Sequence, residues 1–322
     1  MTLVKRYVES DITHNIYSFT KREPHSIANT KRFYDSGKLC QFRLFEFKLF
    51  MASGNRKIAL LIAETDTIID GNYLRFGNEL GARGIDVTYC LIDTLSLQHS
   101  RVCAKGFQTN RPIGDGDTFP STEDYYLEDF PCVWILALGF RTSFLDKMQL
   151  LYSINDKVKL VNSLDTIMHL KSKYFLASKP ELFASSNPER LFEIISTGGK
   201  WIAKPPAGSF GREVFFLTNK DPNARVILQT LCGPEMDQYT LLQQYVSEIE
   251  SGEKRVLLAG GNPVAQYRRV ANQDHRTNIM QGAHSEACEL TREESAYCQQ
   301  IGSYFKEFGA EFVGLDLAYP WI

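Results

Sequence analysis

The chain has 322 residues, a length that predicts two or three small domains or one large one, and its 43% hydrophobic and 23% charged residues are typical of a folded globular protein. Lys and Arg number 36 against 38 Asp and Glu, so the net charge is -2 and no chain-wide basic field attracts nucleic acid. No apolar run reaches the roughly 20 residues of a membrane-spanning helix. The seven cysteines form no C-x-x-C pair, which argues against a zinc ribbon or a disulfide framework and favours a reducing, cytoplasmic compartment.

The first part of the chain, residues 1–55, differs from the rest. Its first 50 residues carry nine Lys and Arg against five Asp and Glu, without a helical period or the apolar segment of a signal peptide. Two interpretations remain open. The segment is either an extension that precedes a natural start at Met51, or a short accessory arm that packs on the body.

The pattern from residue 56 onward is strand, helix, strand. Lys57–Ala63 is an apolar run typical of a buried strand, residues 70–83 carry apolar side chains at helical spacing, and Ile85–Ile92 is a second strand. This order predicts a right-handed crossover and a parallel sheet. Residues 104–130, rich in Gly, Pro, Asp and Thr, are predicted to be loops. Further elements complete a small doubly wound domain over 56–165, namely a strand at Cys132–Leu138, a helix at about 142–153 and a strand at Lys159–Asn162.

The second half has the pattern of paired strands. The predicted elements are a hairpin over 200–217, a strand at Leu241–Val246, a turn over 247–254, a hairpin over 255–269, a helix over 292–308 and a last strand at Phe312–Ala318. Thr291 with Glu294 three residues later has the spacing of a capping box at the start of the helix.

Several common site motifs are absent from the sequence. The turn after the first strand lacks G-x-G-x-x-G, and no P-loop, H-E-x-x-H or G-x-S-x-G motif occurs. Dinucleotide-binding, P-loop, metalloprotease and esterase functions therefore have no support.

The remaining charged residues suggest phosphate chemistry. Lysines and arginines can bind phosphate oxygens, glycines allow the backbone to approach phosphates, and a strand-end carboxylate can hold Mg²⁺. The candidates are Lys173, Lys204, Gly208, Gly211, Arg255, Arg269, Arg276 and Asp316. Each alone is commonly a solvated lysine, a hairpin glycine or a capping carboxylate. The residues by themselves leave nucleotide binding open.

Three stretches in chain order resemble bacterial-type glutathione synthetase, an ATP-grasp carboxylate–amine ligase family. They are Gln243–Leu258, Arg269–Asn278 and Phe312–Asp316, with weaker similarity at Val161–Asn162, Ser172–Phe175 and Ile202–Gly208. The resemblance covers residues 56–322. It implies an α/β protein with an ATP-grasp fold preceded by the small doubly wound parallel-sheet domain. The implied domains are an extension over 1–55, the preceding domain over 56–165, and two ATP-grasp lobes over 166–246 and 247–322.

The resemblance also implies the site, with ATP and Mg²⁺ as cofactors. Lys173 and Lys204 would contact the ATP phosphates, with Gly208 and Gly211 in a loop above them. The backbone of Gln244, Tyr245 and Val246 would meet the adenine, and Glu253 would lie near the ribose. Arg255, Arg269, Arg276 and Asn278 would lie along the phosphates and an acyl intermediate, and Asp316 would bind Mg²⁺. The implied partners are small molecules, a γ-glutamyl-type acid and an amine such as glycine, and a homo-oligomer stays open.

The sequence departs from this family at three places. Residues 137–142 replace an Arg-Lys-x-Pro-Pro substrate motif, which leaves the acyl substrate open, and the loop over 207–212 carries Phe210 and Arg212. The sequence stops at Ile322, before the strand, loop and helix with which the family continues. We therefore expect a C-terminally incomplete or decayed chain, poor in turnover. The leading function is an ATP-dependent ligase of glutathione synthetase type. The alternative is a non-catalytic remnant that binds nucleotide or serves as an interaction module.

Overall fold

The computed structural model describes residues 56–63, 72–109, 111–114, 117, 118, 120–170, 174, 181–206, 213–270 and 284–318. The interpretations of residues 1–55 lie outside these ranges. The chain divides into two compact units between Leu164 and Asp165. Among the described residues no helix is long and apolar enough to cross a membrane.

The first unit contains every strand and helix predicted for it. Its elements are β1 (Lys57–Ile62), α1 (Asn72–Ala82), β2 (Asp86–Leu91), β3 (Ser96–Gln98), β4 (Arg101–Gln108), β5 (Glu123–Tyr126), β6 (Cys132–Ile135), α2 (Phe144–Tyr152) and β7 (Lys159–Val161). The seven strands form one sheet in the order β3-β4-β2-β1-β6-β7, and β5 pairs with β4. The pairs β1–β2, β1–β6 and β6–β7 are parallel, as the strand–helix–strand pattern predicts.

The prediction that residues 104–130 are loops is wrong at residues 104–108, which belong to β4, and at residues 123–126, which form β5. β4 reaches Gln108 and pairs antiparallel with β2, and β5 pairs antiparallel with β4, so the sheet is mixed and not purely parallel. β4 has buried residues on both faces, which hides the alternation of a strand with one wet face. Its Gly106 sits where an added Cβ would lie 2.6 Å from the carbonyl oxygen of Tyr89. Gly106 is typical of a loop in the sequence, but in the structure it allows β4 and β2 to approach closely.

The second unit consists of two four-stranded antiparallel sheets with helices. Its elements are a π-helical turn (Thr166–Leu170), β8 (Leu182–Ser185), α3 (Pro188–Ser196), β9 (Lys200–Lys204), β10 (Phe215–Thr218), α4 (Ala224–Cys232), β11 (Thr240–Gln244), a 3-10 turn (Ser247–Ser251), β12 (Glu253–Ala259), β13 (Asn262–Val270), β14 (His284–Glu286), α5 (Arg292–Glu307) and β15 (Phe312–Ala318). We call the sheet with the order β10-β9-β11-β8 the first sheet of this unit, and the sheet with the order β14-β13-β12-β15 the second sheet.

Helices α3 and α4 cover one face of the first sheet. Leu191 of α3 and Leu228 of α4 pack with Trp201, Ala203 and Leu242 of the strands in one buried cluster. Side chains alternate along a strand, so the intervening positions of β9 and β11 project from the other face. This arrangement places Lys204 on the face away from the helices.

Helix α5 covers one face of the second sheet in the same way. Its residues Cys298, Ile301 and Phe305 pack with Val256 and Leu258 of β12. The predicted capping box at its start is confirmed, because Thr291 Oγ1 accepts from the Glu294 amide at 3.1 Å and Glu294 Oε2 accepts from the Thr291 amide at 2.7 Å. Because Val256 and Leu258 face α5 and side chains alternate along a strand, the odd-numbered positions of β12 project from the face away from α5.

Candidate functional site

Eight of the predicted site residues are described, all in the second unit. They are Lys204 and Gln244 on the first sheet, Tyr245 and Val246 directly after it, and Glu253, Arg255, Arg269 and Asp316 on the second. The other five, Lys173, Gly208, Gly211, Arg276 and Asn278, lie outside the described residues.

Strand register brings together the four residues of the second sheet, which we call the ion-pair cluster: Glu253, Arg255, Arg269 and Asp316. Glu253 is directly opposite Arg269, and Arg255 is directly opposite Asp316. Glu253 and Arg255 are two residues apart on β12, so they project from the same face. Residues from three strands thus converge on the face away from α5.

The cluster is a continuous chain of ion pairs, three of whose contacts are charge-assisted hydrogen bonds. Arg255 donates through Nε to Oδ1 of Asp316 and through Nη2 to Oδ2 at 2.8 Å. Arg269 Nη2 lies 2.9 Å from Asp316 Oδ1 and also donates to Glu253 Oε1. Two guanidinium groups and two carboxylates give the cluster a formal charge of zero. Such bidentate and charged hydrogen bonds are strong and hold a defined geometry.

Exposure rises from one end of the cluster to the other. The side chains of Glu253 and Arg269 are each 9% exposed, whereas Arg255 is 28% and Asp316 40% exposed. Burial lowers the pKa of Arg255, but the charge and hydrogen bonds of Asp316 outweigh it, so the pKa is raised and the guanidinium stays charged. Arg269 Nε is buried and has no hydrogen-bond partner among the described residues. The Arg255–Asp316 end is therefore the more accessible end of the cluster.

A glycine on β15 makes room for Arg255. An added Cβ at Gly314 would lie 3.1 Å from Arg255 Nη1 and 3.4 Å from its Cδ. The arginine therefore lies across β15 over Gly314 to reach Asp316, two residues further along the same strand face. Sequence reasoning assigned no role to Gly314.

On the first sheet, Lys204 is the last residue of β9 and is half-buried. Its Nζ donates to Gln243 Oε1 at 2.6 Å, and β11 pairs Leu241 opposite Lys204. The amide of Gln243 thereby holds the lysine at the strand end. The sequence offered no signal for this contact, because the two residues are 39 positions apart.

The three residues predicted to meet an adenine follow one another at the end of β11. The backbone amide of Gln244 donates to the backbone carbonyl of Glu181 at 2.8 Å, and the backbone amide of Tyr245 donates to that of Lys200 at 2.9 Å. Within the described ranges, the Val246 amide has no acceptor. Of these three backbone donors, Val246 is thus the one that a ligand can use.

The Tyr245 ring closes this end of the strand. Phe216 packs edge-on against the Tyr245 ring, with ring centroids 5.0 Å apart. The Tyr245 hydroxyl donates to Glu250 Oε1 at 3.0 Å. Burial, with help from the Glu250 charge, raises the pKa of Tyr245 to about 12, so the phenol is neutral at physiological pH.

A pair of antiparallel sheets that present lysine, arginine and carboxylate side chains is the arrangement of an ATP-grasp ligase. The profile of the family described as prokaryotic glutathione synthetase, ATP-grasp domain, matches residues 169–319. The glutathione synthetase of Vibrio parahaemolyticus is 32% identical over 249 residues, which cover 74% of this chain and 78% of the relative. The chain belongs to the prokaryotic glutathione synthetase family.

Other relatives align over different lengths. The glutathione synthetase of Agrobacterium fabrum is 27% identical over 74% of this chain and 77% of that protein. The alignment with that of Coxiella burnetii is 32% identical but spans only 45% of each chain, about half the relative's length. Among solved structures, a RimK domain ATP-grasp protein from Sphaerobacter thermophilus has a TM-score of 0.53 at 17% identity and covers 82% of this chain and 86% of its own, which shows the shared fold.

Proposed function

We propose that this protein joins a γ-glutamyl-type carboxylic acid to an amine such as glycine, with ATP as the energy source. The observation that carries the proposal is the ion-pair cluster, which holds two guanidinium groups and a partly exposed carboxylate on one sheet face. Glutathione synthetases among its relatives supply the substrate class. Residues 166–246 and 247–322 would act as the two lobes, with residues 56–165 as the preceding domain.

The nucleotide would lie with its adenine at the end of β11 and its phosphates toward lysine and arginine side chains. The Val246 backbone amide has no acceptor among the described residues and directly follows Tyr245, so it could donate to the edge of a base. Lys204, with Lys173 as a second lysine, would bind phosphate oxygens, and Gly208 and Gly211 would allow the backbone to approach them. Arg276 and Asn278 are proposed for the acyl end of the site.

The donor set fits Mg²⁺ that arrives with a nucleotide. In the described ranges, no group of three or more His, Cys, Asp or Glu is arranged for a metal ion. Mg²⁺ in nucleotide sites is commonly bound by one or two carboxylates together with phosphates and water. Asp316 is the exposed carboxylate of the cluster, and it would exchange its arginine partners for the ion. Bound Mg²⁺ would neutralise phosphate charge.

The chain's own residues would then stabilise charge and orient the substrate. In the proposed reaction a carboxylate takes the terminal phosphoryl group of ATP, and an amine displaces phosphate to form an amide. Negative charge accumulates on the transferred group, so preorganised arginines and lysines lower the barrier. Arg255, freed by exchange at Asp316, would reach a phosphate oxygen while Arg269 stays anchored by Glu253.

A reducing, cytoplasmic compartment suits this function. The six cysteines of the described part are free, and five are buried. Burial raises the pKa of Cys90 to about 12, so the thiol stays protonated and unreactive.

The test is Mg²⁺-dependent ADP formation with a panel of γ-glutamyl acids and glycine, with product mass measured in parallel. ADP formation that requires both substrates and yields an amide supports the proposal. Nucleotide binding without turnover on any acid would instead identify a non-catalytic nucleotide-binding protein.

Replacing Lys204 with Ala should weaken ATP binding at least about tenfold, because the proposed contact of a half-buried lysine with phosphate would be lost. The fold should be affected by no more than about 0.5 kcal/mol, since the lysine lies at a strand end outside the apolar cluster. Calorimetric titration with ATP and urea unfolding measure the two effects. Lys220→Ala, in an exposed turn of the same unit, is the control. Equal ATP affinity in wild type and Lys204→Ala would remove the lysine from the site.

Replacing Gly314 with Ala should lower turnover about tenfold, because the new methyl group forces the Arg255 guanidinium to shift by a few tenths of an ångström and small misplacements in an active site are costly. Gly81→Ala is the matched control, because its added Cβ meets nothing within 4 Å. Steady-state kinetics measure the turnover of both variants, and only Gly314→Ala should be slower than the wild type. Unchanged turnover in Gly314→Ala would show that Arg255 does not need its present path across β15.

A further inference from the structure

A buried ion pair holds the turn after β6 in the first unit. Lys147 of α2 donates to Asp93, which follows β2, and the two side chains are 4% and 13% exposed. Asp93 Oδ1 also accepts from the Phe140 backbone amide at 2.8 Å, and Lys147 Nζ donates to the Phe140 backbone carbonyl at 2.9 Å. We call Asp93 and Lys147 the turn clamp. One ion pair, whose members are 54 positions apart, thus holds both backbone polar groups of Phe140.

The chain accommodates the turn clamp with a glycine. Gly139 has a φ of 62°, a conformation that glycine adopts readily and other residues rarely do. An added Cβ at Gly139 would lie 2.1 Å from Asp93 Oδ1. Any side chain at this position would therefore push the carboxylate away from the Phe140 amide.

Stability alone does not account for the turn clamp. Moving two charges out of water is costly, and apolar side chains of similar volume commonly stabilise a buried site as well as an ion pair does. Charged hydrogen bonds add a defined geometry, because they fix both distance and direction. The turn clamp therefore specifies where the backbone of Phe140 lies, and with it the start of the turn Arg141–Ser143.

The clamped turn lies where open α/β sheets bind ligands. β1 lies between β2 and β6 and is parallel to both, so the chain passes from β1 to one side of the sheet and later returns to the other. Ligands of such sheets bind at the carboxyl ends of the strands, beside the point where the strand order reverses. Asp93 follows the carboxyl end of β2 and Phe140 follows that of β6, so the turn clamp lies at this edge.

Two exposed side chains follow one another at the clamped turn. Phe140 is 71% exposed, and Arg141 is exposed and has no ion-pair partner among the described residues. A guanidinium can bind a carboxylate through two parallel hydrogen bonds, and an aromatic ring can cover an adjoining aliphatic chain. The chemistry of the turn therefore suits a small carboxylic acid with an aliphatic portion.

We propose that the turn clamp positions Arg141 to bind a carboxylate of the acid substrate other than the carboxylate that ATP activates. Asp93 and Lys147 are positioning residues, and Arg141 makes the contact. This assignment rests on the proposed ligase function. It narrows the acid substrate to compounds with a second carboxylate, such as the α-carboxylate of a γ-glutamyl group.

The first experiment removes the guanidinium with Arg141→Gln. The probes are γ-glutamylalanine and 4-aminobutyrylalanine, which lacks only the α-carboxylate. Their dissociation constants are measured by calorimetry with Mg²⁺ and a non-hydrolysable ATP analogue. We expect the wild type to bind γ-glutamylalanine at least about tenfold more tightly, because a charged hydrogen bond is lost with the carboxylate, and Arg141→Gln to lose this preference. Arg83→Gln, at the exposed pair with Glu79 in the same unit, is the control and should keep the preference.

The second experiment removes the turn clamp with the double variant Asp93→Asn and Lys147→Met. Because both charges are lost together, no unpaired charge stays buried and the variant should fold. Its affinity for γ-glutamylalanine should fall about tenfold, while its affinity for the ATP analogue is unchanged, and Arg141→Gln added to it should have little further effect, because residues that act as one unit are not additive. Asp124→Asn with Lys105→Met makes the same substitutions at an exposed pair of this unit and should change neither affinity.

A third variant reaches the turn clamp without touching its charges. Gly139→Ala should lower the affinity for γ-glutamylalanine in the same way, because the new methyl group overlaps the Asp93 carboxylate. This variant replaces the double variant if the latter does not fold. In turnover, each variant should raise the KM for the acid and leave kcat unchanged, as expected when binding alone is weakened.

Arg141→Gln that still prefers γ-glutamylalanine would show that the guanidinium does not bind the α-carboxylate. Unchanged acid affinity without the turn clamp, or equal losses for the acid and the ATP analogue, would leave Asp93 and Lys147 with a structural role only. Wild-type protein that binds γ-glutamylalanine but forms no amide refutes the ligase function, and the binding measurements still decide the role of Arg141. Wild-type protein that forms an amide from another acid but does not bind γ-glutamylalanine refutes the role of Arg141 and keeps the ligase function.

Discussion

Asp316→Asn should lower Mg²⁺-dependent ADP formation at least about 100-fold, the range expected when a charge-stabilising group or a metal ligand is lost. Asp316 is the partly exposed carboxylate of the cluster and holds both Arg255 and Arg269. An amide is a poor substitute for a carboxylate on Mg²⁺. Steady-state kinetics over a range of Mg²⁺ concentrations measure the effect.

The same variant should keep its fold and its metal-free nucleotide binding. An ion pair with a 40% exposed carboxylate contributes about 1 kcal/mol at most to stability. Loss of one negative charge leaves the cluster at +1, so ATP without Mg²⁺ should bind at least as tightly as to the wild type. Asp124→Asn, at the exposed pair with Lys105, is the control. Turnover above about one tenth of the wild type in Asp316→Asn would exclude Asp316 as the essential carboxylate.

Lys254→Met should destabilise the second unit by about 3–5 kcal/mol, the usual cost of removing one partner from a buried ion pair. Lys254 Nζ donates to Glu294 Oε2 at 2.8 Å and to the Glu289 carbonyl at 2.9 Å. The Glu294 side chain is 1% exposed, and its Oε1 is buried without a partner among the described residues. Without the lysine, the carboxylate charge would stay buried and uncompensated. Urea unfolding measures the loss.

Removal of the Glu294 charge should restore most of the stability that Lys254→Met loses. Glu294→Gln combined with Lys254→Met removes both buried charges of this pair, and glutamine at this position can still complete the capping box with Thr291. The exposed pair of Arg225 and Glu189 is the comparison, where Arg225→Met should cost less than about 1 kcal/mol. If Lys254→Met costs as little as Arg225→Met, the buried pair does not hold α5 to the sheet.

Local signals in the sequence predicted much of the fold. The predicted hairpin over 255–269 is β12 and β13, and the predicted last strand is β15 with the same bounds. The start of α5 follows from Thr291 and Glu294 alone, because a capping box satisfies orphan amides within three residues. These elements depend on neighbours in the chain, which is why pattern and spacing were sufficient.

Elements that depend on tertiary packing were not predicted. Helices α3 and α4 are nine residues each and are stabilised mainly by one apolar face against the first sheet. Their start signals are short, although Asn187 before Pro188 is a recognisable cap. The pattern does not reveal β4, because a strand buried on both faces loses its alternation, or β5, which has only four residues and none of them buried.

For the site, the sequence by itself determined which residues carry the chemistry and in which order they occur. Arg255, Arg269 and Asp316 were selected by type and by family resemblance. Only the tertiary structure decided their partners. Register across three strands joins Glu253 to Arg269 and Arg255 to Asp316 over as many as 61 positions, and strand pairing joins Lys204 to Gln243. Charge pairing depends on distances and burial in the folded sheet, and neither quantity is encoded locally along the chain.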